Sequence, residues 1–177
     1  MKRLAVLACA ASLTVAGCNS TISPVTPTGV RTLAAVLSGA QNVPPAGSLE
    51  AGTTGTVQIV MTPAAGGGYT ATFNISLTGL VRAGLLAAPL DNGSVIVAGY
   101  IHQGSAGALG SPVVPLPISQ TVPLLSPTGN LSVTISNVAV SAAAASGMLA
   151  TPSAFYFNLY SAINQNGVAR GQLVLQQ

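Results

Sequence analysis

From Thr32 onward, apolar and polar residues alternate with a period of two. Tyr69, Ala71, Phe73, Ile75 and Leu77 alternate with Thr70, Thr72, Asn74 and Ser76. Val57, Ile59 and Met61 repeat the pattern, as do Leu131, Val133 and Ile135, and Phe155, Phe157 and Leu159. Successive side chains on a strand point to opposite faces, so this is the pattern of half-buried β-strands. SVIVAGYI (Ser94 to Ile101) is apolar throughout, which suits an inner strand covered on both faces. Turn signals separate the runs: Pro63 with Gly66 to Gly68, Asp91-Asn92-Gly93, Pro127 to Asn130, and Asn166-Gly167. Many short strands with Gly-rich turns predict an all-β antiparallel sandwich or barrel. One segment departs from the pattern. AVSAAAASGML (Ala139 to Leu149) predicts a short helix near 139–149, with Asn137 as N-cap and Gly147 as its stop.

The start of the chain has a different character. Met1, Lys2 and Arg3 precede an apolar run, Leu4 to Ala16, too short to span a bilayer. Small Ala16 and Gly17 then precede Cys18. This arrangement resembles a bacterial lipoprotein signal, with 1–17 removed and Cys18 acylated. The alternative is an ordinary secretory peptide cut near Ala16, which leaves Cys18 a free thiol. On the first reading Cys9 departs with the signal and no thiol remains to form a disulfide. Residues 18–30 then form a tether rich in Ser, Thr and Pro, and residues 31–177 a single domain. About 145 residues suffice for one self-sufficient core.

Charge is scarce. Only 4% of residues are Asp, Glu, Lys or Arg, against roughly 25% in ordinary soluble domains. Loss of the signal removes Lys2 and Arg3. It leaves Arg31, Arg82 and Arg170 against Glu50 and Asp91. The high isoelectric point is then mostly a targeting feature, and nucleic acid, which needs clustered Lys and Arg, is not an expected partner. Two carboxylates do not make a calcium cage. A Ser-His-Asp triad would need the single copies His102 and Asp91, and no G-x-S-x-G elbow occurs.

Three stretches occur in order: LSGAQNVPP (Leu37 to Pro45), GYIHQGSAGALGSPVV (Gly99 to Val114) and NLYSAINQNGVARGQL (Asn158 to Leu173). With YTATFNISLTGL (Tyr69 to Leu80), they resemble the CHRD domain, a module named after chordin and found in bacterial exported proteins. The resemblance implies an immunoglobulin-like or dismutase-like antiparallel sandwich. The chain departs from that pattern at several points. Asn42 stands where the family usually has Glu, Tyr100 and Tyr160 where it usually has His, and Val168 where it often has Glu. The stretch Val81 to Asn92 reads as an inserted loop.

His-x-His on a strand, completed by a third His, could hold a metal in relatives with all three. Here only His102 remains, and neutral Tyr is a poor ligand for zinc or copper(II). We expect Tyr100, His102 and Tyr160 to lie together as a polar cluster, with no cofactor. The competing expectation is that His102 is simply a satisfied strand-end residue. Arg170 is expected to be a structural anchor, donating to loop carbonyls or to Glu50. The expected function is a lipid-anchored, extracytoplasmic, non-catalytic module of the cell or outer membrane. Its partners would be membrane lipid through Cys18 and an envelope protein, a matrix polymer or another copy of itself. The alternative is a metal-dependent, dismutase-like enzyme or metal-binding protein using His102.

Overall fold

The computed structural model describes residues 29–84, 93–119 and 123–176. The expected signal (1–17), Cys18 and most of the expected tether lie outside them, as does Asp91. The alternating segments form strands, in the order β1 (Arg31–Ser38), β2 (Thr54–Pro63), β3 (Tyr69–Thr78), β4 (Ser94–Gln103), β5 (Ser111–Pro115), β6 (Leu124–Ser126), β7 (Leu131–Val140), β8 (Phe155–Ser161), β9 (Ala169–Gln172) and β10 (Val174–Gln176). One helix, α1 (Ala142–Ala150), follows β7. The fold is all-β and antiparallel, as the periodicity predicts.

The strands run in the spatial order β5-β4-β8-β9-β1-β2-β3-β7, with β6 beside β4 and β10 beside β1. The sheet curls into a nearly closed barrel-like form, so the two layers expected of a sandwich are one continuous sheet. The junction between β9 and β1 is a single pair, Ser38 with Arg170. Gly171 permits it: any Cβ there would strike the carbonyl of Val36 and come within 3.0 Å of the Leu37 side chain. The apolar positions of both halves meet inside. Phe73 of β3 faces Phe157 of β8 with ring centroids 5.9 Å apart. Leu33, Ile59, Met61, Ile96, Ile101 and Leu159 fill the space around them without solvent contact. Burying each such side chain contributes about 1.5–3 kcal/mol.

Three local expectations are corrected. The helix starts at Ala142, capped by the hydroxyl of Ser141, which accepts from the Ala144 N–H at 3.2 Å. Asn137 is no N-cap; it lies in β7 with φ 60°. The pairing slips there, from Ala71 with Val138 to Phe73 with Ile135. Asn tolerates the left-handed conformation that this bulge demands. Gly147 is no stop either. It sits inside the helix, where an added Cβ would approach the Phe155 ring to 2.9 Å. Its lack of a side chain lets α1 pack on β8. β4 is interior to the sheet but not fully apolar-buried: Val95, Val97, Ala98 and Tyr100 remain half-buried.

At one end of the sheet three connections converge on one carboxyl group. Glu50, in the β1–β2 connection, is fully buried. Ser94 donates to its Oε1. Ser161 and the Asn164 side-chain amide both donate to Oε2 at 2.6 Å. Asn164 Oδ1 in turn accepts from Gly47 N–H at 2.7 Å, and Ser94 Oγ accepts from Val81 N–H at 2.8 Å. The β1–β2, β3–β4 and β8–β9 connections are thereby fastened together. Val81 of the expected insert takes part; 85–92 lie outside the described residues.

Candidate functional site

Period two places Ile101 of β4 and Phe157 of β8 in the core, so their neighbours must face the other way. Register pairs His102 with Tyr156, Tyr100 with Asn158, and Ala98 with Tyr160. Arg170 pairs with Asn158, and Gln172 with Tyr156, on β9. The outer face of β4, β8 and β9 is thus a polar, aromatic patch. The segment 104–110 folds over it.

Tyr100, His102 and Tyr160 lie together. The Tyr100 ring meets His102 and Tyr160 edge-on at centroid distances of 5.6 and 5.8 Å. His102 and Tyr160 are 6.1 Å apart by the same measure. The hydrogen bonds fix the state of the imidazole. Gly110 O, 2.9 Å from Nδ1, can only accept, so Nδ1 carries the proton. Nε2 of the neutral ring then accepts from the Tyr160 hydroxyl at 2.9 Å. Burial lowers the His102 pKa from its ordinary value, the Gly110 carbonyl opposes that shift, and Arg170 adds to it. Neutral His102 is therefore the resting form at neutral pH. Burial raises the Tyr160 pKa, and a hydrogen bond from the Asn158 amide works the other way.

Arg170 sits beside this group. Its Cζ lies 3.5 Å from the centroid of Tyr156, whose ring also stacks on His102 at 4.8 Å and 2°. Its Nη2 donates to Ser105 O at 3.0 Å and Ala108 O at 2.8 Å. Its partners are thus loop carbonyls, while Glu50 is engaged elsewhere. Burial lowers the Arg170 pKa, which leaves a guanidinium charged. Gln172 donates to Gly104 O at 2.8 Å, and Gly110 N–H donates to the Tyr156 hydroxyl at 3.2 Å. Four side chains from three strands therefore pin the 104–110 segment.

Tyr156, Asn158 and Glu50 escaped the sequence reading as site residues. The first two were accessible to it: they alternate with Phe155, Phe157 and Leu159, which puts them on Tyr160's face. Glu50 carried no comparable signal, because its three partners come from distant parts of the chain.

A face built this way, from the second and third of the recognised stretches, invites comparison with known families. The family model for the CHRD domain matches residues 33–173. The chain belongs to the CHRD domain family. No curated protein and no solved structure matches it. The matched CHRD region begins in β1 and ends between β9 and β10, so it takes in the whole curled sheet except β10. Membership suggests an extracellular β-sandwich-like module. Within this CHRD domain the described residues contain no group of three His, Cys, Asp or Glu placed to hold a metal.

Proposed function

We propose that this CHRD domain is a non-catalytic binding or structural module of the bacterial cell envelope, anchored by acylated Cys18 at the extracytoplasmic face of the cell or outer membrane. The observation that carries the reading is the state of His102. Both ring nitrogens are engaged, one by Gly110 O and the other by Tyr160. A ligand reaches either ring nitrogen only by displacing the Gly110 carbonyl or the Tyr160 hydroxyl. Glu50 is enclosed by three donors, and Arg170 is committed to two carbonyls and an aromatic face. These groups build structure.

What the domain offers a partner is an uncharged surface. On the outer face of β1, β2, β3 and β7, register aligns Ala34, Gln58, Asn74 and Thr134 in one row. Thr134 donates to Asn74 Oδ1 at 3.0 Å, and the Asn74 amide donates to Gln58 Oε1 at 3.4 Å. A shallow depression of about 380 Å³ lies over this row, with Val36 and Val174 at its margin. Such a surface suits an envelope protein, a matrix polymer or a second copy of the chain, and offers nothing to an anionic polymer such as nucleic acid.

Two measurements test the reading. Metal analysis of the purified chain is expected to find no stoichiometric copper or zinc; finding either favours the metal-dependent alternative. Cys18→Ser is expected to move the protein from the membrane fraction to the soluble fraction. Retention of that variant on membranes rules out the lipid anchor.

A further inference from the structure

The sheet has unequal edges. β5 is five residues long and carries Pro112 and Pro115, which cannot donate to an added strand. β6 and β10 have three residues each. Short strands and prolines are ordinary ways of blunting an edge. β7 has neither. It is ten residues long, LSVTISNVAV, with no proline and no charge. Among the described residues its only strand partner is β3. Among the described residues, no strand therefore pairs with the backbone N–H and C=O groups on its other side. Val133 and Ile135 pack against the core yet stay half-buried, and among the described residues no strand continues the sheet beside them.

We infer that β7 pairs edge to edge with β7 of a second copy, antiparallel about a twofold axis at Thr134. The stretch Ser132–Ser136 is self-complementary about that point. Val133 falls opposite Ile135 of the second copy, Ser132 opposite Ser136, and Thr134 opposite itself. Every core-side residue meets a core-side residue, and every outer residue meets an outer one. Pairing covers the exposed flanks of the two β-branched side chains, a combination that stabilises cross-strand neighbours. No charge is brought near a like charge. The bulge at Asn137 ends the regular stretch on one side, which limits growth of the contact. A stretch this short buries less than the roughly 1,200 Å² of a stable complex. The dimer is accordingly weak in solution and favoured by co-confinement on a membrane. This inference rests on the proposed binding role only in naming one partner, and metal content does not bear on it.

The test uses the full chain with Cys9→Ser and Cys18→Ser, so that one introduced thiol is the only one present. Antiparallel neighbours have Cα atoms about 4.5–5.5 Å apart, within disulfide reach. Thr134→Cys is expected to give a covalent dimer under mild oxidation, and Thr56→Cys, on β2 away from the edge, is expected to stay monomeric. In sedimentation over a concentration series, the parent is expected to move from 17.3 kDa toward twice that mass. Thr134→Lys, at an exposed position, is expected to raise the midpoint about tenfold or more by placing two ammonium groups together. Equal cross-linking of the two thiol variants, no cross-linking of Thr134→Cys, or an unchanged midpoint for Thr134→Lys overturns the inference.

Discussion

The hydroxyl of Tyr160 donates to Nε2 of His102 across 2.9 Å, closing the one coordination position that the Gly110 carbonyl leaves on that ring. Tyr160 thereby occupies the place a metal ion would need, and it holds the imidazole neutral and oriented. The bond is the middle link of a chain that begins with the Asn158 amide and passes through His102 to Gly110 of the covering segment.

Stability should fall in mildly acidic solution because of His102. Its pKa in the folded protein lies below the ordinary value of about 6.5 that the unfolded chain retains. As pH falls through about 6.5 the unfolded chain takes up the proton first, so unfolding becomes easier until the folded value is passed. The stabilisation is present above about 6.5 and lost below it. Urea midpoints between about pH 8 and pH 5 should decline in the parent and decline less in His102→Gln. Identical pH profiles would show that His102 does not carry the effect.

Restoring imidazoles should create a metal site. Tyr100, His102 and Tyr160 have ring centroids within 6.1 Å of one another. Three imidazoles bound at about 2.0–2.1 Å to one zinc ion have centroids roughly 5 Å apart. The Tyr100→His, Tyr160→His variant is expected to bind one zinc or copper ion per chain and to melt at a higher temperature with metal than without. Absence of a metal-dependent melt would mean that the covering segment blocks the third position.

Replacing the hub at the other end should be costly. In Glu50→Gln one oxygen becomes an NH₂ group that faces former donors from Ser94 or from Ser161 and Asn164. A buried donor left without an acceptor costs about 1–3 kcal/mol. Denaturant unfolding should show a loss of about 2 kcal/mol, with faster hydrogen exchange at Gly47 and Val81, whose N–H groups bond to members of the network. A change under 0.5 kcal/mol, on the scale of about zero expected for surface sites, would contradict the role given to Glu50.

Gly147→Ala offers a test in which two effects oppose. Alanine normally stabilises a helix interior by about 1 kcal/mol relative to glycine. Here the new methyl group meets the buried Phe155 ring at 2.9 Å, and overpacking costs about 1–3 kcal/mol. The packing term should win, so the variant is expected to unfold at lower denaturant. A gain in stability would show that α1 can shift away from β8.

The strands were legible in the sequence because their signal is local. Tyr69 to Leu77 alternates without exception, and β3 spans Tyr69–Thr78. The helix was legible in composition but not in its limits. Asn137 and Gly147 both carry end signals by residue type, and tertiary packing uses each for another purpose: one for a bulge, the other for contact with Phe155. The joining of two layers into one sheet was not legible, since it depends on the Ser38–Arg170 pair and on the short β10 pairing with β1, both contacts between the two ends of the domain. Period two puts Tyr100 and His102 on one face of β4, but the arrival of Tyr160 from β8 could be expected only because a resemblance put all three positions in one motif set. The enclosure of Glu50 by Ser94, Ser161 and Asn164 involves separations that no window of sequence reveals.

The fastening of three connections to Glu50 has a consequence for how this scaffold can be varied. Lengthening or replacing any of those three connections disturbs the other two, so that pole is a poor place for grafted peptides or fusion partners. The opposite pole is permissive. The β2–β3 hairpin turns through Gly66 and Gly67, where no neighbouring atom lies within 4 Å of an added Cβ. An epitope or fluorescent reporter spliced there would ride on the domain without touching the machinery that holds it together.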